Sequence, residues 1–341
     1  MTLFFHGKNL LNLALVHQLQ QIGLICRFSP YNHDYQPPPL YIALGHQALN
    51  FLGLSKLGTH FDKMHVNASI NMCDGFTLTS ESLDLRSLGS VVFLPDLYQH
   101  LNKICSVEYA QPSLTSIEFC SSSFFRSHQV KETSVGYARQ FILNTEEGDY
   151  QAFQLFHWPY ILGFLPIGPK KHALIFSSSD KKILLPKDND AIFSVIQKCF
   201  EFSTLKIHSL ESTSDLFPLK SYHASHYFNN NKIYFGDAAH SLHPLAGQGM
   251  NIGLADAETL VQLLKENKSI SAERLGQQFQ KKQYLKNALM VQFCQALSMN
   301  HARCWAPIAF DMFNRSLLLK RFLFPFYQHL SWSECHSDVR I

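Results

Sequence analysis

The chain has 341 residues, of which 46% are hydrophobic, and it carries a formal net charge of +3 with a pI near 8.3. This length can bury a sizeable core in one large or two ordinary domains, and the mild charge without a Lys/Arg block gives no sign of a nucleic-acid-binding protein. The eight cysteines form no C-x-x-C pair, so neither a zinc site nor a disulfide scaffold is indicated, and we expect a reducing cytoplasm.

The N-terminal segment changes from a strand-like to a helix-like pattern and back. Residues 2–5 read as a short apolar strand, residues 10–22 as an amphipathic helix and residues 24–28 as a second strand. This order predicts a βαβ-like unit. No basic stretch precedes an uninterrupted apolar core, so we expect no signal peptide, and no apolar run is long enough to span a bilayer.

The middle of the chain is rich in short apolar runs that polar, Gly or Pro residues separate. The runs cover residues 141–143, 152–156, 160–166 and 173–177. This pattern is typical of a β-sheet and predicts a sheet-forming domain. Residues 187–202 follow with a helical pattern.

The most informative stretch is residues 233–253, which reads IYFGDAAHSLHPLAGQGMNIG. An apolar strand ends in Gly236-Asp237, and after a loop with His and Pro, Gly247-Gln248-Gly249 opens a helix near Met250. A strand-end carboxylate can accept hydrogen bonds from sugar-type hydroxyls. A Gly-rich helix start presents unpaired backbone N–H groups and a positive dipole end to an electron-rich ligand. Glycines that serve only tight packing are the simpler alternative.

The whole block closely resembles the second flavin-binding motif of FAD-dependent aromatic hydroxylases, and among them the ubiquinone-biosynthesis hydroxylase family. That family's pattern is GDAAH, two variable residues, HP, then AGQGxNxG and an Asp shortly after. The likeness covers most of the chain and is strongest from residue 137 to residue 327. The chain fills every position of the pattern, with Gly236-Asp237-Ala238-Ala239-His240, His243-Pro244, Ala246-Gly247-Gln248-Gly249, Asn251, Gly253 and Asp256.

The resemblance implies an α/β fold with a Rossmann-like, discontinuous FAD-binding domain, a β-sheet substrate domain and C-terminal helices. Residues 1–126 would form a shortened N-terminal part of the FAD-binding domain, and residues 221–270 its C-terminal part with the Gly-Asp motif. Residues 127–220 would form the substrate domain and residues 271–341 the helical segment.

By the same resemblance the cofactor is FAD. Reduced flavin would activate O2 and transfer an oxygen atom to an electron-rich phenolic ring, while the protein binds, orients and excludes water. Asp237 would accept hydrogen bonds from the ribityl chain. Backbone N–H groups near Gly249, Met250 and Asn251 would face the N1–C2=O edge of the ring. The remaining cofactor-binding candidates are Gly236, Ala238, Gly247 and Gly7.

His240, His243 and Pro244 are the candidates for the pocket beside the flavin ring. A metal site needs further ligands, and none lie in register nearby, so we expect no metal. The two histidines are expected to be pocket-lining or hydrogen-bonded structural residues, and a catalytic proton role is the alternative.

The ADP-binding end departs from the family pattern G-x-G-x-x-G, which corresponds here to Gly7-Lys8-Asn9-Leu10-Leu11-Asn12. The second glycine lets the backbone approach the pyrophosphate and the third allows close helix–strand packing, and both are Asn here. The ribose-binding acid expected near Ser29 or Pro30 is absent. Residues 120–126 also lack the family's Asp-Gly, and Arg126 is a candidate remnant. We interpret this end as degenerate, with charge compensation by Lys8 as the alternative.

Three functions are compatible with the resemblance. The first is an FAD-dependent monooxygenase that hydroxylates the aromatic ring of a polyprenylated phenol in ubiquinone biosynthesis. The second is a catalytically inactive relative that acts as an accessory or scaffold protein of the ubiquinone-synthesis machinery. A flavin halogenase lacks support, because Trp158, Trp305 and Trp332 form no W-x-W signature. The monooxygenase is our prediction.

The implied partners are a polyprenylated phenol or quinone precursor and other ubiquinone-biosynthesis proteins. The basic pairs Lys281-Lys282 and Lys320-Arg321 stand next to Phe and Leu. Such pairs are typical of a solvated helix face, and contact with anionic lipid is the alternative. We therefore expect a cytoplasmic protein, with peripheral contact at the inner face of the membrane under that alternative.

Overall fold

The structure is a computed structural model that describes residues 2–30, 35–54, 57–67, 75–83, 85–113, 115–126, 132–146, 150–181, 189–200, 207–212, 214–245 and 248–316. The α-helices are, in chain order, α1 (Leu10–Gln21), α2 (His46–Leu52), α3 (Leu94–Ile104), α4 (Asn189–Phe200), α5 (Gln248–Glu266), α6 (Ala272–Ser298) and α7 (Ala306–Arg315). The strands are β1 (Thr2–His6), β2 (Ile25–Phe28), β3 (Tyr41–Gly45), β4 (Thr59–Phe61), β5 (Lys63–Asn67), β6 (Gly75–Thr79), β7 (Gly89–Phe93), β8 (Ile117–Cys120), β9 (Thr133–Thr145), β10 (Gln151–His157), β11 (Tyr160–Gly168), β12 (Lys171–Ser178), β13 (Ile207–Ser212), β14 (Phe217–His223), β15 (Phe228–Asn229), β16 (Lys232–Tyr234) and β17 (His240–Ser241).

A five-stranded sheet with the order β15-β16-β8-β1-β2 carries the candidate site. Its strands β1, β2, β8 and β16 are parallel, and only β15 runs antiparallel to its neighbour β16. A parallel pair needs a crossover connection, which α1 provides between β1 and β2. The predicted βαβ unit and the α/β fold class are thereby confirmed, and the sheet is Rossmann-like.

Helix α1 is buried on nearly every side. Its leucines at positions 10, 11, 13, 15 and 19 are all buried, together with Ala14 and Val16. The helix lies between the parallel sheet and the helices α3 and α5, which it contacts on its other sides. The prediction of an amphipathic helix was therefore wrong here, because a helix that packs on several sides has no polar face.

The second large sheet is mostly antiparallel and has the order β17-β14-β9-β12-β11-β10-β5-β6, with β13 also paired to β9. One face packs on α4 through residues such as Phe141 and Phe176, and the other packs on α6, α7 and the small sheet β3-β7-β4. The apolar runs of the middle segment form its strands β9 to β12. Because β5 and β6 join this sheet from within residues 1–126, the segment boundaries given above stay a prediction.

The C-terminal part is helical as far as it is described. Helix α6 continues to Ser298, and α7 ends at Arg315. Lys320-Arg321 and Trp332 lie outside the described residues. Within the described ranges, no helix combines the length and the hydropathy that are needed to cross a bilayer.

Candidate functional site

A strand–turn–helix unit forms the centre of the candidate site. After β16 the chain turns at Gly236, whose φ of +54° lies in the left-handed region that favours glycine. A 3-10 turn over Gly236–Ala238 leads to β17 and on to α5, which begins at Gln248, slightly before the predicted start at Met250. The predicted site residue Gly247 lies outside the described residues.

The carboxylate of Asp256 on α5 connects the parts of this unit through hydrogen bonds. Its Oδ2 atom accepts a hydrogen bond from the backbone N–H of Gly236 at 3.0 Å and lies 2.7 Å from Nε2 of His240. Its Oδ1 atom accepts a bond from the Asn287 amide on α6 at 2.9 Å. His240, Asp256 and Asn287 are all buried. The geometry therefore gives His240 a structural partner, and we conclude that its ring orders the turn.

Two glycines of the motif have a packing reason that sequence reasoning missed. A Cβ on Gly253 would lie 2.6 Å from Leu11 Cδ1, and a Cβ on Gly236 would collide with the same atom. Leu11 belongs to α1, which is remote in sequence. By contrast, a Cβ on Gly249 would meet no atom within 4 Å. Packing therefore accounts for Gly236 and Gly253, whereas Gly249 borders open space at the start of α5.

Asp237 lies in a solvent-accessible position. Its side chain is exposed, yet the surrounding protein raises the pKa of its carboxyl, an effect that His240 opposes. The pKa of Tyr35 is raised to about 12, first by burial and second by the Asp237 carboxylate. The same two causes, in the same order, raise the pKa of Tyr222. The Tyr222 hydroxyl also donates to the backbone carbonyl of Asp237. Two phenols therefore border an acidic acceptor that a ligand can reach.

His243 and Pro244 lie in the loop between β17 and α5. His243 is 3% exposed, and burial lowers the pKa of its imidazole to about 3, so the ring is neutral at physiological pH. Its Nδ1 atom has no hydrogen-bond partner among the described residues. A buried imidazole nitrogen without a partner is costly and marks a position where a ligand group can complete the hydrogen bonding. Pro244 is half-buried beside it.

The side chain of Asn251 anchors the first turn of α5 to the β3–α2 connection. Its Oδ1 accepts from the N–H of Gly45 at 2.8 Å, and its Nδ2 donates to the carbonyl of Ala43 at 3.0 Å. Asn251 is buried and Met250 beside it is half-buried. Sequence reasoning did not link residues 43–45 to this turn, since the contact joins segments that are far apart in the chain.

At the other end of the site, the turn after β1 keeps its first glycine but fills the positions of the other two. Gly7 has a φ of +82°. Asn9 is the N-cap of α1, and its Oδ1 accepts from the backbone N–H of Asn12 at 3.0 Å. The buried amide of Asn12 in turn donates to the carbonyls of His6 at 2.9 Å and Gly7 at 2.6 Å.

The segment after β8 closes over this turn. The Ser121 hydroxyl, which is buried, donates to Asn9 Oδ1 at 2.9 Å. The ring of Phe125 lies 5.3 Å from the His6 ring, and its Cε2 atom would be 3.5 Å from a Cβ on Gly7. Asn9 and Ser121, two departures from the family pattern, are thus bonded to each other.

The strand end that carries a ribose-binding acid in the resembled family holds Ser29 here. Ser29 is 1% exposed, and its hydroxyl has no hydrogen-bond partner among the described residues. The Lys8 ammonium is close enough to Cys105 to oppose the burial that raises the pKa of that thiol to about 11. Compensation of phosphate charge by Lys8 stays an alternative.

The arrangement fits the flavin half of an FAD molecule and not the pyrophosphate end. The open space at Gly249, the accessible carboxylate of Asp237 and the unpartnered Nδ1 of His243 suit a polar, planar ligand. At the N-terminus of α1 the protein's own side chains take the places of a phosphate. Among the described residues, no group of three or more His, Cys, Asp or Glu side chains could hold a metal ion.

Comparison with known proteins agrees with this geometry. Residues 184–293 match the family model described as "FAD binding domain". The chain is 32% identical over 117 residues to the mitochondrial ubiquinone biosynthesis monooxygenase COQ6 of Schizosaccharomyces pombe, a match that covers 31% of this chain and 24% of that protein. It is 45% identical over 53 residues to the 3-demethoxyubiquinol 3-hydroxylase of Escherichia coli, covering 16% of this chain and 14% of that one.

The matched segments thus span less than a quarter of the length of these two relatives. The fold agrees over a much longer stretch. A variant of Klebsiella pneumoniae HpxO, solved in complex with FAD, superposes with a TM-score of 0.67 at 12% identity, covering 98% of this chain and 96% of that one. The motif and the matched family model indicate an FAD site, and the fold is shared with this FAD-bound structure over nearly the whole chain.

Proposed function

We propose that this chain is an FAD-dependent monooxygenase that hydroxylates the aromatic ring of a polyprenylated phenol in ubiquinone biosynthesis. The observation that carries the proposal is the strand–turn–helix unit, which places an accessible Asp237 carboxylate after β16 and the open side of Gly249 at the start of α5. The two matched relatives, one a ubiquinone biosynthesis monooxygenase and the other a demethoxyubiquinol hydroxylase, support the same reaction class.

FAD supplies the oxygen chemistry when it is bound and reduced, and the chain's own residues bind and orient it. Asp237 accepts hydrogen bonds from hydroxyls of the ribityl chain. The backbone N–H groups at Gly249, Met250 and Asn251 lie in the first turn of α5, where the helix dipole is positive and favours an electron-rich ring edge. Asn251 acts indirectly, because its side chain holds that turn against Gly45.

His243 and Pro244 form the pocket wall beside the ring in this proposal. A neutral, buried His243 offers Nδ1 to a polar group of the substrate without adding a charge. Burial of this loop also keeps water away from the reacting atoms. His240 is a positioning residue, since its ring is bonded to Asp256 and not directed at a ligand.

The polyprenyl chain of the substrate requires access to a bilayer. Helix α6 presents Lys281 and Lys282 on an exposed surface, with Leu285 exposed by 67% close behind them. Exposed lysines beside an exposed leucine suit peripheral contact with anionic lipid. We therefore include contact at the inner face of a membrane, from the cytoplasmic side, in the proposal.

The direct test is a visible absorption spectrum of the purified chain, followed by titration with FAD. We expect saturable flavin binding that Asp237→Ala abolishes. Asp311→Ala, which alters an acidic side chain on α7, is the control and should bind like the unaltered chain. Chemically reduced flavin, O2 and a polyprenylated phenol should then give a product with one added oxygen atom. Saturable binding without product would leave the scaffold function in place of the monooxygenase, and absence of binding would overturn the flavin site itself.

A further inference from the structure

We infer that this chain holds its flavin through the isoalloxazine and ribityl half alone, and therefore binds FMN about as tightly as FAD. The inference rests on the proposed flavin site and adds to it a statement about which part of the cofactor is recognised. Its basis is the contrast between an open flavin end and an ADP end that the protein's own side chains fill.

The first step concerns the N-terminus of α1. In a dinucleotide site the backbone N–H groups of this turn point at the pyrophosphate, because they have no partner within the helix. Here Asn9 caps the helix, and its Oδ1 already receives the N–H of Asn12 at 3.0 Å. The cap oxygen thus satisfies one of the N–H groups that would otherwise be free to face a phosphate.

The second step concerns Asn12. A glycine at this position brings the helix close to the strand and keeps the turn narrow. Asn12 instead places a fully buried amide between α1 and the end of β1, with bonds to the carbonyls of His6 and Gly7. These bonds fix both carbonyl groups of the turn, while the buried Oδ1 atom of the same amide has no hydrogen-bond partner among the described residues.

The third step concerns the segment after β8, which contacts the turn through Ser121 and Phe125. Ser121, in the segment that lacks the family's Asp-Gly, donates to Asn9 Oδ1 at 2.9 Å, so Asn9 bridges the helix and the segment after β8. Phe125 then covers Gly7 and the His6 ring. Side chains of the protein therefore fill and cover this turn. The side chains that pack on this turn therefore fill the space in which a pyrophosphate would bind.

The fourth step concerns the ribose. The end of β2 offers Ser29, which is 1% exposed, where a ribose diol needs a reachable acceptor. The flavin end differs, because Asp237 is accessible and Gly249 faces open space. Binding free energy that the ADP half normally contributes is therefore missing, and the flavin half sets the affinity.

The test is a set of calorimetric titrations of the purified chain with FAD, FMN and riboflavin. We expect the dissociation constants of FAD and FMN to agree within about tenfold, since each lost phosphate or ribose contact removes a preference of at least that order. ADP alone should not compete with either flavin. A preference for FAD above about tenfold, or competition by ADP, would overturn the inference while leaving the proposed function intact. Failure of every flavin to bind would overturn both.

A triple variant, Asn9→Gly with Asn12→Gly and Ser121→Asp, restores the residues of the dinucleotide pattern. It should tighten FAD at least about tenfold relative to FMN, because the turn can again approach a pyrophosphate. Asn50→Gly, at an exposed position of α2, is the matched control and should leave the ratio unchanged. If the triple variant does not fold, the ratio measured on the unaltered chain still decides the inference. Asp237→Asn should weaken FAD and FMN by the same factor.

Discussion

Leu11 on α1 packs against Gly253 on α5 so closely that both of its methyl groups would lie within 3 Å of any Cβ on the glycine, at 2.6 and 2.9 Å. The same leucine also blocks a Cβ on Gly236. One buried side chain therefore requires two glycines of the flavin motif. The glycines at positions 236 and 253 are therefore explained by the packing of two helices against a strand end, in addition to any role in binding a ligand.

This contact predicts that Gly253→Ala destabilises the fold. Overpacking costs about 1–3 kcal/mol and outweighs the ~1 kcal/mol that alanine gains in a helix. Urea unfolding of Gly253→Ala, Leu11→Ala and the double variant measures the interaction free energy between the two positions. We expect the Gly253→Ala cost to shrink or change sign once Leu11 is shortened. An equal cost in both backgrounds would contradict the packing argument.

Gly249 should behave in the opposite way. A Cβ there meets no atom within 4 Å, so Gly249→Ala is expected to leave the free energy of unfolding unchanged or to raise it by up to ~1 kcal/mol. Flavin affinity should fall by about tenfold or more, because the methyl group would project into the ligand space. Urea unfolding and a flavin titration on the same preparation separate the two effects. A loss of stability without a loss of affinity would count against a ligand at this turn.

Asp256→Asn tests the carboxylate that joins α5, α6 and the turn. The side-chain amide nitrogen of the new asparagine is itself a donor. It would face one of the three groups that now share a hydrogen bond with the Asp256 carboxylate, on Gly236, His240 or Asn287. A lost bond to a charged group costs about 1.5–3 kcal/mol. Glu266→Gln, at an exposed position of the same helix, serves as the control and should cost less than ~1 kcal/mol in the same urea experiment. Equal costs would remove the special role of Asp256.

His243 predicts a pH dependence of stability. Its pKa is about 3 in the folded chain against 6.5 when exposed, so the unfolded chain takes up a proton that the folded chain refuses as pH falls below 6.5. Stability is therefore lost towards acid in that window, with a slope of up to ~1.4 kcal/mol per pH unit from this residue.

The check is the free energy of unfolding measured between pH 6.5 and pH 4.5 without flavin. His243→Gln should flatten the slope by that amount, and His226→Gln, at an exposed position, should leave it as it is. Part of the slope remains in both variants, because burial first, followed by His240, also lowers the pKa of His223, to about 4. A slope that His243→Gln does not change would mean that the ring is not buried as described.

The sequence allowed the local parts of the site to be predicted and left the contacts between them open. The strand end at Gly236-Asp237 and the start of α5 follow from apolar periodicity and glycine placement, which are properties of neighbouring residues. The βαβ unit was predictable for the same reason. The reading of α1 as amphipathic failed because three different elements cover it, and nothing in its own twelve residues shows that.

The degenerate ADP turn illustrates the same division. The sequence showed that Asn9, Asn12 and the segment of residues 120–126 depart from the family pattern, and each departure by itself suggested loss. Only the fold shows that Ser121 bonds to Asn9 across more than a hundred residues of chain. Asn9 and Ser121 are hydrogen-bond partners of each other where a ligand would otherwise be the partner. Such a pair is recognised from the distance between the two side chains in space, which a single sequence does not report.

The order of strands in the parallel sheet has a consequence for how the chain is made. Phe4 pairs with Glu118, and Glu118 pairs with Lys232, so β8 and β16 each join a partner that was synthesised long before them. The antiparallel strands β10, β11 and β12 instead pair with immediate neighbours in the chain. Because distant pairings form slowly, these three strands can pair during synthesis while β8 keeps an open edge until Lys232 has left the ribosome. The turn at Gly236-Asp237 follows at once, so it takes shape when β16 joins the parallel strands.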